Sequence, residues 1–393
     1  MTNSRLITEV GYLSFNHVGE ELCGDHIEVT TPDESTKILV LADGLGSGVK
    51  ANILSTLTSK MLSNMIASDI SIKECIRCIA HTLPICKERK VAYSTFTIIK
   101  IKDNKYVDIY NFDNPTPFMI HNGEVKDLSY SSTVIDGKTI YHAKLEAELY
   151  DTFFLMSDGV KYAGVGEKLN FGWDMPQIKD YLGIIYQKEY SSKALATELA
   201  NQCNELYNFR PGDDTTVAVV RIRERQQVSL MFGPPSKEED DEEMVSLFLA
   251  KEGIHIVSGG TTSKIVSNYL NKPLVLNTTD PLDKEIPPTS SIEGINLVTE
   301  GIITINKVLE YANNYLKDNS LYTTWLYKRD GASLIAQYLF EQATDISFFV
   351  GCAVNTAHQE EGSVINFSTK MHLIDELAEK LKKIGKNVRV NYF

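Results

Sequence analysis

Short runs rich in Val, Ile, Thr, Tyr and Phe, bounded by Gly, Asn and Asp, recur at residues 6–15, 37–42, 94–101, 106–112 and 152–156, and each reads as a β-strand. Several of these runs follow one another with no helical pattern between them. Residues 98–102 and 105–109 flank Asp103-Asn104 as a hairpin with a polar turn, which argues against a doubly wound parallel sheet. Helical spacing predicts two helices between residues 47 and 88, broken near 68–71. A further helix is predicted over 191–207, where Ser192 is the expected cap and Ala194, Leu195, Leu199 and Cys203 align on one face. The N-terminal half therefore reads as α+β.

After a strand at 216–222 the pattern changes at Gly233-Pro234-Pro235, followed by an acidic run over 237–243. Ser236 with Glu239 three residues on, then Met244, Val245, Leu247 and Phe248, has the form of a capping box opening an amphipathic helix. Acidic side chains in its first turn offset the positive end of the helix dipole. Beyond it, strands at 254–257, 273–276, 345–350 and 387–392 alternate with helices at 262–270, 305–316, 331–342 and 370–383. That alternation marks a three-layer α/β domain with a mostly parallel sheet. The expected division is a first domain over 1–226 and a second over 227–393.

A chain of 393 residues exceeds what one hydrophobic core usually serves, in line with that division. Its 39 basic and 52 acidic residues leave a net charge of −13, which disfavours nucleic acid as a partner. No apolar stretch approaches the roughly 18 residues of a membrane span. Residues 1–10 carry no apolar run of the signal-peptide kind, so a cytoplasmic location without a membrane partner is expected, with the six cysteines as thiols. Cys75 and Cys78, with Cys86 beyond, lack a second CxxC pair. Ile72, Cys75, Ile76, Ile79 and Leu83 share one helical face, so these cysteines read as small core residues rather than metal ligands.

The chemistry lies in four acidic elements that follow one another in the first domain: Gly24-Asp25, Asp43-Gly44-Leu45-Gly46-Ser47-Gly48, Ser157-Asp158-Gly159 and Asp213-Asp214-Thr215-Thr216. The last three sit at strand ends, so a sheet edge brings several carboxylates together. A single Asp-Gly is ordinarily a turn; four such elements in order are not. Clustered carboxylates repel and raise each other's pKa unless a hard cation neutralises them, and oxygen ligands without His or Cys suit Mg²⁺ or Mn²⁺.

Together with Tyr93-Ser94-Thr95 and Thr116-Pro117-Phe118, these elements resemble the PPM-type metal-dependent Ser/Thr protein phosphatases, and their order and spacing over about 200 residues most resemble the SpoIIE-like bacterial branch. The resemblance implies a sandwich of two antiparallel sheets flanked by helices, with two Mg²⁺ or Mn²⁺ ions at one end. It implies that Asp43 bridges the ions, that the Gly44 carbonyl binds one, that Asp158 and Asp213 hold the other, and that Asp25 acts directly or through a water. Asp214 stands where many relatives have Asn. The implied activity is hydrolysis of a phosphorylated protein substrate in bacterial signalling, by direct attack of water on phosphorus. Relatives are thought to be switched through the helices after the Asp43-Gly44 loop. A basic side chain that holds the phosphate in several relatives has no clear counterpart; Arg89 and Lys90 are candidates, and His17 and His26 lie near the first acidic element. A non-catalytic signalling scaffold built on a degenerate domain would be expected to lose Asp43, Asp158 or Asp213, and all three are present.

In the second domain, Gly259-Gly260-Thr261-Thr262 follows a strand and opens a helix, where N–H groups and hydroxyls meet the positive dipole. The segment reads either as an anion site for a nucleotide or phosphorylated metabolite or as a capped turn of small residues. Residues 351–358 form a second strand-end loop of the same kind.

Overall fold

The computed structural model describes residues 5–82, 94–277, 287–353 and 367–393. Leu83, Cys86, Arg89, Lys90, Tyr93 and the loop from Val354 onward, all singled out above, lie outside them. The chain divides into two compact units, Met1–Glu224 and Arg225–Phe393.

The first unit begins with β1 (Leu6–Phe15), β2 (Asp25–Asp33), β3 (Thr36–Gly44), α1 (Gly48–Ala67) and α2 (Ile72–Thr82). It continues through β4 (Ser94–Lys102), β5 (Tyr106–Phe112), β6 (Phe118–His121), β7 (Glu124–Asp127), β8 (Ser131–Ile135), β9 (Lys138–Glu146) and β10 (Thr152–Met156). It closes with α3 (Asp158–Lys161), α4 (Met175–Ile185), α5 (Ser192–Leu206) and β11 (Thr215–Glu224). The strands form two antiparallel sheets, ordered β1-β11-β10-β6-β7 and β2-β3-β4-β5-β9-β8.

The period of two along β3 builds the layers. Leu39 and Leu41 point inward with Ile99, Val107 and Ile109 against Phe153, Leu155, Ala218 and Val220 of the other sheet. Ile38, Val40 and Ala42 point outward with Phe96 and Ile98, and are covered by Leu62 and Ile66 of α1 and Cys75, Ile76 and Ile79 of α2. Across the sandwich, Phe118, Phe154, Val217 and Val219 are covered by Ile178 and Leu182 of α4 and Leu195 and Leu199 of α5. Four layers result, helix–sheet–sheet–helix, and strands buried on both faces explain the unbroken apolar runs in the sequence.

Of the local features, the expected hairpin turn forms, the α5 cap lies one residue earlier than expected, and one helix is additional. The Asp103-Asn104 turn forms with φ of +56° and +51°, the mirror-image turn that suits tight hairpins, and Lys105 N–H donates to the Lys102 carbonyl at 3.0 Å. The cap of α5 is Ser191, whose hydroxyl accepts from Ala194 N–H at 3.0 Å, and not Ser192, whose N–H is claimed by Glu9. α4 was not anticipated, although Asp174 and Gln177 form a complete capping box with Pro176 beside it.

α1 reverses the usual pattern. Ser55, Thr58, Ser59 and Ser63 are buried, whereas Val49, Ile53 and Leu57 are exposed.

The second unit runs β12 (Gln227–Phe232), α6 (Asp241–Leu249), β13 (Ile254–Ser258), α7 (Gly260–Leu270), β14 (Val275–Leu276), β15 (Ser290–Ser291) and β16 (Leu297–Thr299). It continues with α8 (Ile302–Leu316), α9 (Tyr322–Leu326), α10 (Gly331–Ala336), β17 (Asp345–Val350), α11 (Phe367–Lys383) and β18 (Asn387–Tyr392). Five strands are parallel, in the order β16-β13-β12-β17-β18, and β14 and β15 extend the β16 edge antiparallel. The mostly parallel α/β reading stands. The capping box at Ser236 does not form: a 3₁₀ turn over Glu238–Asp240 precedes α6, and the Ser236 hydroxyl donates to the Phe393 carbonyl at 3.5 Å. Asp241, Glu242 and Glu243 do fill the first turn of α6, so the dipole argument holds without the cap. The 331–342 helix is α10 followed by a π-helical turn over Gln337–Gln342. Among the described residues no helix is long and apolar enough to cross a membrane.

Candidate metal centre

The register of the sheets brings the aspartates together. Asp25 and Asp43 are directly opposite on antiparallel β2 and β3, a pairing that like charges disfavour. In the facing sheet β10 and β11 are antiparallel neighbours, so Asp158, just past the end of β10, lies beside Asp213 and Asp214, just before the start of β11. Ser157 N–H donates to the Thr216 carbonyl at 3.0 Å and Thr216 N–H to the Ser157 hydroxyl at 2.9 Å, which pins these two ends together. The five carboxylates thus come from the same end of both sheets.

Burial dominates their electrostatics. Asp43 is pushed up to about 9, by burial first and then by the charges of Asp25, Asp158, Asp213 and Asp214. Asp25, only 4% exposed, is raised well above the usual carboxylate range by burial, with Asp214 and Asp158 adding to it. The nearby Ser157 and Thr216 hydroxyls work the other way, but Ser157 donates to the Asp214 carbonyl and Thr216 to Ser14, and neither Asp25 oxygen has a geometric partner. Asp158 is raised by burial, against a hydrogen bond from Asp43. Asp213 goes up to about 6 through burial and Asp158. Asp214 is buried; one oxygen accepts from His17 N–H at 3.0 Å and the other has no partner.

Buried carboxylate oxygens without donors are costly, and a hard divalent cation is the partner that suits an all-oxygen set. The residues present fit such an ion. Among the described residues, no three Asp, Glu, His or Cys side chains converge at ligating spacing.

Glycine decides how closely the surrounding chain approaches. A Cβ on Gly44 would lie 2.1 Å from the Ala51 carbonyl oxygen of α1, and one on Gly159 would lie 2.2 Å from the Asp214 carbonyl oxygen. α1 is thereby packed against the Asp43-Gly44 turn, and the Asp158 turn against Asp214. His26 does not face the carboxylates through its Nδ1, which pairs with the Ser59 hydroxyl at 2.7 Å, and burial lowers its pKa. His17 contributes its backbone N–H to Asp214. The sequence reading passed over Lys161. It stands three residues after Asp158 on the single turn of α3, hence on the same face, and its ammonium lowers the Asp158 pKa.

In the second unit, Gly259 caps α7 with φ +119°, and Gly260 begins it. Thr262 is buried and Thr261 exposed. The Ser263 hydroxyl turns back to the Gly259 carbonyl at 2.8 Å. A Cβ on Gly260 would lie 3.9 Å from both carboxylate oxygens of Glu300, so negative charge already stands beside this helix start.

Residues 33–223 match the family model for stage II sporulation protein E (SpoIIE). A search of curated proteins finds no match. Among solved structures, the phosphatase domain with a regulatory fragment of SpoIIE from Bacillus subtilis is 19% identical over 56% of this chain and 64% of its own length, with a TM-score of 0.48. RsbX in complex with magnesium is 21% identical over 56% of this chain and 98% of its own, TM-score 0.38. The catalytic domain of the phosphatase PstP with two manganese ions is 16% identical over 56% and 100%, TM-score 0.38.

Proposed function

Since residues 33–223 form a SpoIIE-like domain of the PPM phosphatase class, we propose that the first unit hydrolyses phosphoserine or phosphothreonine in a phosphorylated protein, with two Mg²⁺ or Mn²⁺ ions held by Asp25, Asp43, the Gly44 carbonyl, Asp158 and Asp213. One observation supports this reading: the strands bring five aspartates to one end of the sandwich, and three of their buried oxygens lack any donor. Bound divalent ions supply positive charge for the phosphoryl oxygens and make water acidic enough to attack phosphorus.

The chain's own residues do the rest. Asp43 and Asp25, opposite each other on two strands, give the site a fixed floor. Asp158 and Asp213 complete it from the other sheet. Lys161 is the cation placed to steer the substrate phosphate. Asp214, anchored by His17 N–H, holds the start of β11 in place through its own N–H bond to Asp213 at 2.9 Å.

The deciding experiment is hydrolysis of p-nitrophenyl phosphate and of a phosphoserine peptide by wild type and Asp43→Asn, with Mn²⁺ and after chelation. Turnover that survives exhaustive chelation would refute the metal-dependent reading. In the second unit, a mononucleotide or phosphorylated metabolite at the α7 start would have the dipole in its favour and Glu300 against it. Gly260→Val, which the surroundings leave room for, weakens such binding while sparing ester hydrolysis; calorimetry of the full chain against a nucleotide panel decides it.

A further inference from the structure

The end of α5 holds a side chain that neither backbone preference nor burial accounts for. Asn208 N–H donates to the Glu205 carbonyl at 3.1 Å and Phe209 N–H to the Asn204 carbonyl at 2.8 Å, the paired bonds of a Schellman cap. Asn208 takes the left-handed conformation that such a cap requires, at φ +51°, but Phe209 follows it there at φ +60°. A bulky residue is an outlier in that region, which glycine occupies freely. An apolar residue at this place in the cap usually folds back on the helix, yet Phe209 is 70% exposed.

The chain on either side of Phe209 is pinned to the carboxylate cluster. Two residues before it, the buried Tyr207 donates its hydroxyl at 2.8 Å to the carbonyl of Gly159, the neighbour of Asp158. Two residues after it, the carbonyl of the buried Pro211 accepts from Val18 N–H at 2.8 Å, beside His17 and its bond to Asp214. Residues 208–210 are exposed, so they bulge outward between these two anchors. The Asn208 side chain donates to Glu167 at 2.7 Å, which ties the bulge to the segment after α3. There Tyr162 and Val165 are exposed, and the Lys161 ammonium stands over the Tyr162 ring at 5.7 Å. A Cβ on Gly172 would lie 3.2 Å from Val165, so Phe171, 95% exposed, belongs to the same edge. Two tied loops, one following Asp158 and the other leading to Asp213, thus carry four exposed apolar side chains.

We propose that Phe209 is a specificity-determining residue of the phosphatase site, where with Tyr162, Val165 and Phe171 it seats an apolar side chain of the phosphoprotein substrate. The inference rests on the phosphatase reading. Continuity names the occupant: a phosphoserine held at the carboxylates brings its flanking residues over these loops. Phe209 is four residues from Asp213, at most about 14 Å of chain, a distance that an extended peptide covers in about four residues. The apolar side chain therefore lies within about four positions of the phosphorylated residue. A small ester such as p-nitrophenyl phosphate has nothing to place there.

The test is Mn²⁺-dependent steady-state kinetics of the full chain on phosphoserine peptides of Ala and Ser, in which a single Leu is moved from the fourth residue before the phosphoserine to the fourth after it. For the wild type, at least one Leu position should lower KM about fivefold against the Leu-free peptide, with kcat little changed. Phe209→Asn suits the left-handed backbone and should lose that preference without lowering the melting temperature, and Phe209→Tyr should keep it. Hydrolysis of p-nitrophenyl phosphate should be the same in all three proteins. Hydrolysis with no favoured Leu position, a preference that survives Phe209→Asn, or a parallel loss on p-nitrophenyl phosphate would each overturn the proposal while leaving the phosphatase reading intact. A wild-type dimer that Phe209→Asn dissociates in sedimentation velocity would assign this edge to a second copy and overturn it too. Failure of the wild type to hydrolyse any of these esters would instead refute the phosphatase reading, and this inference with it.

Discussion

Replacing Asp43 by Asn in the metal-free protein should stabilise the first unit, by an amount that grows with pH. In the fold the Asp43 carboxyl is raised from 3.8 to about 9. Between those values the native state keeps a proton that the unfolded chain has lost, so stability falls as pH rises, by about 1.4 kcal/mol per unit. By pH 7 this is a cost to the metal-free fold on the order of 4 kcal/mol, roughly three units of that slope, shared with the carboxylates that interact with Asp43. Asn is nearly isosteric and carries no charge, so it escapes this cost. Asp213, raised to about 6, adds its own slope at lower pH; Asp25 and Asp158 are raised too, so above pH 6 the wild-type slope belongs to the interacting group and its difference from Asp43→Asn isolates the Asp43 share.

The chain has two tryptophans, Trp173 in the first unit and Trp325 in the second. Urea unfolding in EDTA, followed by Trp173 fluorescence in a Trp325→Phe background, therefore reports the first unit. The Trp325 change is common to both proteins and cancels in their difference. The expected outcome is a gap between Asp43→Asn and wild type that widens steadily from pH 6 to pH 8.5. Mn²⁺ should narrow or reverse it by stabilising only the wild type. Parallel pH dependences in EDTA, or wild-type stability that rises with pH, would refute the assignment of Asp43 to a buried, mutually repelling cluster.

Asp158→Asn should lower Mn²⁺-dependent hydrolysis of p-nitrophenyl phosphate by more than a hundredfold while circular dichroism stays that of the wild type. Lys161→Ala should raise KM for a phosphopeptide several-fold with a smaller change in kcat, as steady-state kinetics will show; an unchanged KM would remove Lys161 from the phosphate. Gly44→Ala puts a Cβ against the Ala51 carbonyl and should both lower the melting temperature and abolish turnover. Ser191→Ala removes the α5 cap and should cost about 1 kcal/mol in urea unfolding without affecting activity.

The strands beside three of the acidic motifs were readable because they are buried on both faces, so β3, β10 and β11 appear as apolar runs that end in Asp or adjoin it. β2 was not readable: it is the edge strand of its sheet, half exposed, and its alternation of His26, Glu28 and Thr30 with Ile27 and Val29 has no apolar run. Its first residue is nonetheless Asp25. The motif Gly24-Asp25 marked the residue while the pattern concealed the strand that aims it. The cross-strand pairing of Asp25 with Asp43 is a fact of register, set by strand pairing that no local window contains. In the second unit β16 and β12 were missed for a different reason: β16 has three residues, and β12 lies on the expected boundary, ahead of the Gly-Pro-Pro that marks the change in composition.

The inverted face of α1 yields a last prediction. While Leu62 and Ile66 pack on β3, the helix meets the chain from Cys23 through β2 by hydrogen bonds: Asn52 donates to the Cys23 carbonyl at 2.8 Å, Ser59 pairs with His26 at 2.7 Å and Ser63 donates to Thr30 at 2.6 Å, with Lys60 paired to Glu28 at 3.1 Å. A helix held this way depends on each rung, since removing one partner strands the other in a half-buried setting at about 1–3 kcal/mol. The same helix backs the Asp43-Gly44 turn through Ala51. Ser59→Ala should therefore loosen α1 and, through Gly44, weaken Mn²⁺ binding several-fold, while α5 on the far side of the sandwich is unaffected. Hydrogen exchange on α1 and α5, with a Mn²⁺ titration of the same variant, measures both effects. Faster exchange in α1 with unchanged Mn²⁺ affinity would show that the helix is not what positions Asp43; uniform acceleration in α1 and α5 would mean that the substitution acts on global stability instead.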